Sequence, residues 1–189
     1  MSENKSIAVY PGTFDPVTNG HLDIIDRALR IFPKLIVAVA QSAKKAPLFS
    51  LDERIAMLQK AVLCHTSMVS VEPLPGLLTD FLRSRGAKTI IRGLRAVSDF
   101  EYEFQMAMMN RKLHDSMDTM FLMTSEEYFF LTSTLIKEIA RYGGDVAPFV
   151  PQSVLPYLQK KGVTWEKKPV SSPVRPGRVT RSKSIKRAL

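Results

Sequence analysis

A run of twelve residues near the N-terminus, Tyr10 to His21, combines side chains and backbone that suit phosphate binding. Gly12 lets the backbone approach a ligand closely, and Thr13 offers a hydroxyl. His21 places an imidazole in the first turn of a predicted helix, where free N–H groups and the helix dipole attract anions. The run predicts a phosphate-binding turn between a strand and a helix, although His21 alone would more simply be a structural histidine.

Further cationic and hydroxyl groups follow the later predicted strands. Lys44 and Lys45 follow the second strand, and Arg92 and Arg95 flank a predicted Gly-Leu turn after the fourth. Two guanidinium forks at that spacing could share one polyphosphate. A hydroxyl run, Thr132-Ser133-Thr134, opens the fifth helix. The sequence contains neither GxGxxG nor GxxxxGK[ST], which weakens a dinucleotide oxidoreductase or a P-loop interpretation.

Strand and helix patterns alternate along the chain that must position these groups. Apolar strand segments lie at 6–10, 35–40, 68–72, 88–91 and 118–123. Helical patterns begin near 21, 51, 77, 98 and 132, and a last helix covers about 152–161. Two helix starts carry capping boxes, Ser50 with Glu53 and Ser98 with Glu101. The alternation predicts an α/β fold with a doubly wound, Rossmann-like, five-stranded parallel sheet, whose ligands bind at the carboxyl ends of the strands.

The basic charge is concentrated at the C-terminus. The 189 residues carry a formal charge of +9, and eight of the 27 basic residues lie between Lys167 and Leu189 without an acidic one. We therefore expect one domain over 1–165 and a basic, disordered tail over 166–189. A weak electrostatic hold of this tail on RNA, acidic protein or membrane is the less favoured alternative.

The lone cysteine, Cys64, leaves no internal disulfide and no multi-cysteine zinc site. No apolar run is long enough to cross a bilayer, and no signal peptide opens the chain. We expect a cytoplasmic protein.

The motifs resemble those of a known enzyme family. Thr18-Asn19-Gly20-His21, preceded by Gly12 to Pro16, is similar to the TxGH signature of nucleotidylyltransferases. The block from Ile90 through Arg92-Gly93-Leu94-Arg95 to Met109-Asn110-Arg111 resembles phosphopantetheine adenylyltransferases in particular. The resemblance covers about residues 6–160.

The resemblance implies transfer of the adenylyl group of ATP to 4′-phosphopantetheine, giving dephospho-coenzyme A and pyrophosphate. It implies acceptor binding by Thr13, Lys45, Leu78 and Arg92, with Lys44 as the alternative to Lys45. It implies catalytic roles for His21, Lys45, Arg92 and Arg95. The implied ATP-binding residues are Thr13, Phe14, His21, Gly93, Leu94, Arg95, Glu103, Tyr128, Thr132, Ser133 and Thr134. Mg²⁺ is expected to travel with ATP, since the sequence contains no evident protein metal cage.

A helix over 98–113 carries two apolar stripes, of which one should cover the sheet and the other a subunit interface. The first stripe is Phe100, Phe104, Ala107 and Met108, and the second is Tyr102, Met106, Met109 and Leu113. The resemblance implies a homohexamer and coenzyme A as a feedback ligand, without a specific nucleic acid or membrane partner. Two rival classes are open: a nucleotidyltransferase with another acceptor, and a nucleic-acid-binding module that depends on the basic tail.

Overall fold

The computed structural model describes residues 7–41, 47–95 and 97–162, with the side chains of Val97 and Ser98 left aside. Three features predicted from the sequence lie outside this part of the chain. They are the position of Lys44 and Lys45, the side-chain cap at Ser98, and the basic tail over 166–189.

Five parallel strands form one sheet in the order β3-β2-β1-β4-β5. The strands are β1 (Ile7–Gly12), β2 (Lys34–Ala40), β3 (Val69–Leu74), β4 (Thr89–Leu94) and β5 (Asp118–Met123). Every pairing is parallel, as predicted. The order of the strands reverses beside β1, so β1 and β4 are neighbours although two strands separate them in sequence. Ligands of doubly wound sheets bind at such a switch point.

Helices cover both faces of the sheet. They are α1 (Asn19–Leu29), α2 (Leu51–Ala61), α3 (Leu78–Ser84), α4 (Val97–Leu113), α5 (Ser133–Arg141) and α6 (Leu155–Lys160). Along β1, Ala8 and Tyr10 point into one core while Val9 points into a second core on the opposite face. Burial on both faces explains why this strand reads as a continuous apolar run without alternation.

The predicted capping box at the start of α2 is confirmed. The Ser50 hydroxyl accepts the Glu53 N–H at 3.2 Å, and the Glu53 carboxylate accepts the Ser50 N–H at 2.9 Å. These bonds satisfy two backbone N–H groups of the chain entering α2 and fix where the helix begins.

The predicted Gly-Leu turn between Arg92 and Arg95 is wrong. β4 continues through this stretch, and Arg92, Gly93 and Leu94 pair with Phe121, Leu122 and Met123 of β5. Close packing explains the glycine instead, because a Cβ on Gly93 would lie 3.0 Å from the Ile24 side chain. Arg92 is therefore a residue of β4, two positions before its end, and Arg95 is the first residue beyond the strand.

The expectation that one stripe of α4 is buried against the sheet is also wrong. Phe100 and Phe104 of the first stripe are 46% and 48% exposed, and Tyr102 and Met109 of the second are 63% and 56% exposed. Phe100 does reach the edge strand β5, with its ring 6.0 Å from that of Phe121. Both stripes thus leave a large apolar surface beside β5.

Candidate active site

A cleft of about 570 Å³ opens at the switch point, above the carboxyl ends of β1 and β4. It brings together most of the residues that the sequence singled out. Those that line it are Thr13, Phe14, His21, Arg92, Gly93, Arg95, Glu103, Thr132, Ser133 and Thr134. Five separate segments of the chain contribute to this set, which agrees with the binding edge expected of a doubly wound sheet.

His21 is fixed by the residue that precedes α1. The backbone N–H of Thr18 donates to His21 Nδ1 at 3.0 Å, and the Thr18 hydroxyl lies 2.9 Å from the same nitrogen. Because Nδ1 accepts a backbone N–H, the proton of the neutral imidazole lies on Nε2. His21 therefore presents an N–H donor to a ligand in the cleft.

The imidazole of His21 is held neutral. Burial, together with the positive charges of Arg95 and Arg92, lowers the pKa of His21 from 6.5 to about 4. At neutral pH the ring is a hydrogen-bond donor without a charge: it lacks the second proton that an imidazolium could release as an acid, and it has no free nitrogen with which to attack.

The side chain of Phe14 packs against the His21 ring. Its backbone adopts φ +50°, an uncommon value for a residue other than glycine, and its side chain is buried. The ring packs edge-on against those of Tyr10 and His21, at centroid distances of 5.4 and 5.0 Å. A Cβ on Gly12 would lie 2.8 Å from this ring, so Gly12 is required by the aromatic side chain beneath it.

The two arginines each bind a carboxylate of α4. Arg92 makes a two-pronged ion pair with Glu103 and donates to the Pro11 carbonyl at 2.9 Å. Arg95 pairs with Asp99 at 3.1 and 3.3 Å. Paired guanidinium groups keep a fixed orientation, and donors remain on each planar fork for an anion in the cleft.

The hydroxyl run at the start of α5 uses two of its three hydroxyls within the protein. Thr132 accepts the Leu135 N–H at 2.9 Å as the N-cap, and Ser133 donates to the Pro16 carbonyl at 2.7 Å. The first backbone N–H groups of α5 have no partner inside the helix and point out of its start. Together with the Thr134 hydroxyl they form a site suited to an anion.

Three predicted residues lie away from the main cleft. Leu78 lines a neighbouring groove of about 230 Å³ that shares Thr13, Arg92 and Glu103 with the cleft. Leu94 is buried at the end of β4 and does not line the cleft. Tyr128 packs behind Gly20, where a Cβ would lie 3.4 Å from the Tyr128 Cβ.

The sequence is similar to a protein family and to individual relatives within it. Residues 9–139 match the cytidylyltransferase-like family model. The phosphopantetheine adenylyltransferase of Heliobacterium modesticaldum is 52% identical over 156 residues, which cover 82% of this chain and 92% of that protein. The enzyme of the same name from Thiobacillus denitrificans is 53% identical over 154 residues, covering 82% and 96%. The chain belongs to the phosphopantetheine adenylyltransferase family.

The fold of this family member is also that of a more distant solved structure. A bifunctional NMN adenylyltransferase/ADP ribose pyrophosphatase from Francisella tularensis, complexed with AMP and a Mn ion, superposes with a TM-score of 0.58. The sequences are 18% identical, and the match covers 82% of this chain but about half, 48%, of that one. At this identity the likeness establishes the fold alone.

Three charged residues of the adenylyltransferase cleft were not given a role by the sequence analysis. Asp15 and Lys137 line the cleft and form an ion pair of 2.5 Å. Arg54 lies behind it, almost fully buried at 2% exposure. A weak signal for Arg54 was its place on α2 at helical spacing from the apolar Met57 and Leu58, where a buried charge needs a partner. The sequence could not name its partners, because two of Arg54's three contacts are backbone carbonyls on other elements.

Among the described residues, no group of three or more His, Cys, Asp or Glu side chains is arranged to hold a metal ion. No helix within this part of the chain is long and apolar enough to cross a membrane.

Proposed function

We propose that this family member transfers the adenylyl group of ATP to the phosphate of 4′-phosphopantetheine by direct in-line attack, releasing dephospho-coenzyme A and pyrophosphate. The observation that carries the mechanism is the fixed, neutral His21 between two arginines at the switch point of the sheet. Family membership supports the choice of substrates, because the related proteins named phosphopantetheine adenylyltransferase align over most of the chain.

The acceptor phosphate occupies the part of the cleft between the loop after β1 and Arg92 of β4. Thr13 and Arg92 hold it there, with Lys45 supplying a further positive charge. The groove lined by Leu78, Met106 and Ala107 runs from this point and offers an apolar channel for the pantetheine arm. We call this part of the cleft, from Thr13 through Arg92 to Leu78, the acceptor side.

ATP occupies the opposite side, between β4 and the start of α5. Arg95, the first N–H groups of α5 and Thr134 bind its phosphates, while Gly93 lets the nucleotide lie close to β4. The predicted contacts of ATP with Leu94, Glu103 and Tyr128 stay predictions. We call this part, from Gly93 through Arg95 to the 132–134 turn, the nucleotide side.

An oxygen of the acceptor phosphate attacks the α-phosphorus of ATP. The new P–O bond forms as the bond from the α-phosphorus to the bridging oxygen of the β-phosphate breaks, and pyrophosphate leaves with that electron pair. The Nε2–H of His21 donates to the charge that builds on the α-phosphoryl oxygens. The attacking phosphate is already an anion, so positioning and charge stabilisation can supply the catalysis without a general base.

Mg²⁺ enters as part of the MgATP substrate. The ion would neutralise phosphate charge, and Mg²⁺ usually binds through substrate phosphates and waters with few protein carboxylates. The charged groups of the cleft itself, Arg92, Arg95 and Lys137, then need to balance only the remaining negative charge.

The remaining expectations concern assembly, regulation and location. The exposed apolar faces of α4 beside β5 support association of several copies, and a homohexamer remains our proposal for their number. Feedback by coenzyme A, a cytoplasmic location and the lack of a specific nucleic-acid or membrane partner are likewise proposed from the resemblance.

The test is release of pyrophosphate with MgATP and one of three acceptors: 4′-phosphopantetheine, nicotinamide mononucleotide or glycerol 3-phosphate. We expect release with 4′-phosphopantetheine alone. Release only with another acceptor would retain the nucleotidyltransferase chemistry and reject the substrate. No release with any acceptor from folded protein would reject the enzyme and favour a binding module.

A further inference from the structure

Arg54 lies at the base of the acceptor side, in the first turn of α2. Its guanidinium donates to three backbone carbonyls: Thr13 at 2.7 Å, Ala40 at 2.9 Å and Phe49 at 3.2 Å. These carbonyls belong to the loop after β1, the end of β2 and the entry to α2. A single buried cation therefore joins three segments of the chain, of which the Thr13 loop is the most distant in sequence.

One of the three carbonyls belongs to a predicted acceptor residue. Thr13 is predicted to bind the acceptor phosphate, and its carbonyl makes the shortest of the three contacts. The other two carbonyls, of Ala40 and Phe49, tie this residue to the end of β2 and to the entry of α2. Arg54 thus fixes the backbone of an acceptor residue against two neighbouring elements.

Asp15 completes the arrangement from the other direction. Its carboxylate accepts the N–H groups of Leu48 and Phe49, each at 3.0 Å. Phe49 is therefore held at its N–H by a buried anion and at its carbonyl by a buried cation. Such charge-assisted bonds to backbone are among the stronger hydrogen bonds in proteins, so they define the backbone path closely.

We propose that Arg54 is a positioning residue for the acceptor: it sets the Thr13 loop against the end of β2 and the entry to α2 so that 4′-phosphopantetheine binds in line with ATP. This inference rests on the proposed function for the identity of the acceptor. Of the residues predicted to bind ATP, Arg54 donates only to Thr13, which is also a residue of the acceptor side. Its removal should therefore act on one substrate more than on the other.

The test compares the KM values for 4′-phosphopantetheine and for MgATP in Arg54→Met and Arg54→Lys. In Arg54→Met we expect kcat/KM for 4′-phosphopantetheine to fall roughly 10- to 100-fold, mainly through KM, because misplacement of a binding group by about 1 Å costs that much. KM for MgATP should change less than about threefold, since the nucleotide side keeps its own supports. Arg54→Lys retains the charge with fewer donors and should fall between Arg54→Met and the wild type.

Leu35→Ala is the matched control for loss of stability. Leu35 is buried near the amino end of β2, at the edge of the sheet opposite the cleft. The inference is overturned if Arg54→Met and Arg54→Lys change both KM values as Leu35→Ala does. If Arg54→Met does not fold, Arg54→Lys alone decides. A wild-type enzyme that does not use 4′-phosphopantetheine would instead reject the proposed function, which the same assay reports separately.

Discussion

The acceptor side of the cleft is held by fully buried charges, whereas the nucleotide side is held by charges that reach solvent. On the acceptor side, Asp15 and Arg54 are 4% and 2% exposed, and both bind backbone. The loop that leads into the nucleotide side is held by Asp23 of α1, which accepts the N–H and hydroxyl of Ser125, each at 2.9 Å, and pairs with Arg27. The Arg27 side chain is 37% exposed.

The difference shows how one cleft can be built with two degrees of rigidity. A buried ion that loses its partners is costly, so the acceptor side has little freedom to rearrange. A partly exposed pair exchanges its partners for water at little cost, so the Ser125 loop leading to α5 can adjust around ATP. His21 lies between the two sides and belongs to neither network.

The largest expected effect comes from removing the group at the junction. His21→Ala should lower kcat by roughly 100-fold or more, as for loss of one oxyanion-type donor, while the dissociation constant of MgATP changes little. Single-turnover rates and calorimetric titration with MgATP separate the two quantities. His65→Ala is the control, because His65 pairs with Asp26 at 3.0 Å and does not line the cleft. An equal loss of kcat in both variants would contradict a role of His21 in the chemical step.

The second-largest effect is expected from substitution of Asp15, the buried anion of the acceptor side. Asp15→Asn has one carbonyl oxygen for two backbone N–H groups and no charge for Lys137. We expect the free energy of unfolding to fall by about 2 kcal/mol, the usual range for hydrogen bonds to a charged group. Urea denaturation measures it. A change below about 0.5 kcal/mol, the size typical of surface substitutions, would contradict a rigid acceptor side.

The pH dependence of stability tests the burial of His21. Its pKa is about 4 in the folded protein and near 6.5 when unfolded, so the unfolded state binds the proton first as the pH falls. Stability from this group is therefore present above pH 6.5 and lost between 6.5 and 4, by about 1–2 kcal/mol once partial solvation of the ring is allowed for. Denaturation of the wild type and of His21→Asn across this range should give a shallower slope for the variant. Parallel slopes would contradict the buried, neutral ring.

The corresponding substitution beside the nucleotide side, Asp23→Asn, should lower the free energy of unfolding less than Asp15→Asn. Asp23→Asn keeps the shape of the side chain and should cost about 1 kcal/mol or less, because the pair is partly solvated. KM for MgATP should rise by a small factor while KM for 4′-phosphopantetheine stays constant. Steady-state kinetics with each substrate varied in turn provide the measurement. A destabilisation as large as that of Asp15→Asn would remove the contrast between the two sides.

Truncation after Trp165 should have the smallest effect. The deleted residues carry eight basic side chains but none of the cleft residues. We expect kcat and both KM values to be unchanged. Loss of turnover in the truncated protein would instead support a function that depends on the basic tail.

The sequence predicted the sheet and most of the residues that line the cleft. Five apolar runs predicted the strands, because burial on both faces leaves a signal that does not depend on distant partners. Many cleft residues, such as Thr13, Arg92 and Arg95, could be found because they lie at or just beyond the end of a strand, whereas Asp15 and Lys137 were missed. Lys45 and the basic tail lie outside the described residues, so their roles stay predictions.

What the sequence could not supply were pairings across the fold. The Arg92-Gly93 pair resembles a turn locally, but pairing with β5 keeps it in a strand, and only the Ile24 side chain explains the glycine. Arg54 and Asp15 find backbone groups 14 to 41 residues away in sequence. No local pattern encodes such contacts, and the exposed stripes of α4 similarly depend on what covers them.

The most direct test of the account is the stereochemical course at the α-phosphorus. With His21 Nδ1 engaged by Thr18 and its proton on Nε2, the ring has no free nitrogen to carry an adenylyl group, and the acceptor attacks ATP itself. The substrate is ATP made chiral at the α-phosphorus, either by sulfur in place of a non-bridging oxygen or by oxygen isotopes. The configuration of the product then reports the number of displacements. The account predicts inversion, from one displacement. Retention would require two displacements and a covalent adenylyl-enzyme, and would contradict it.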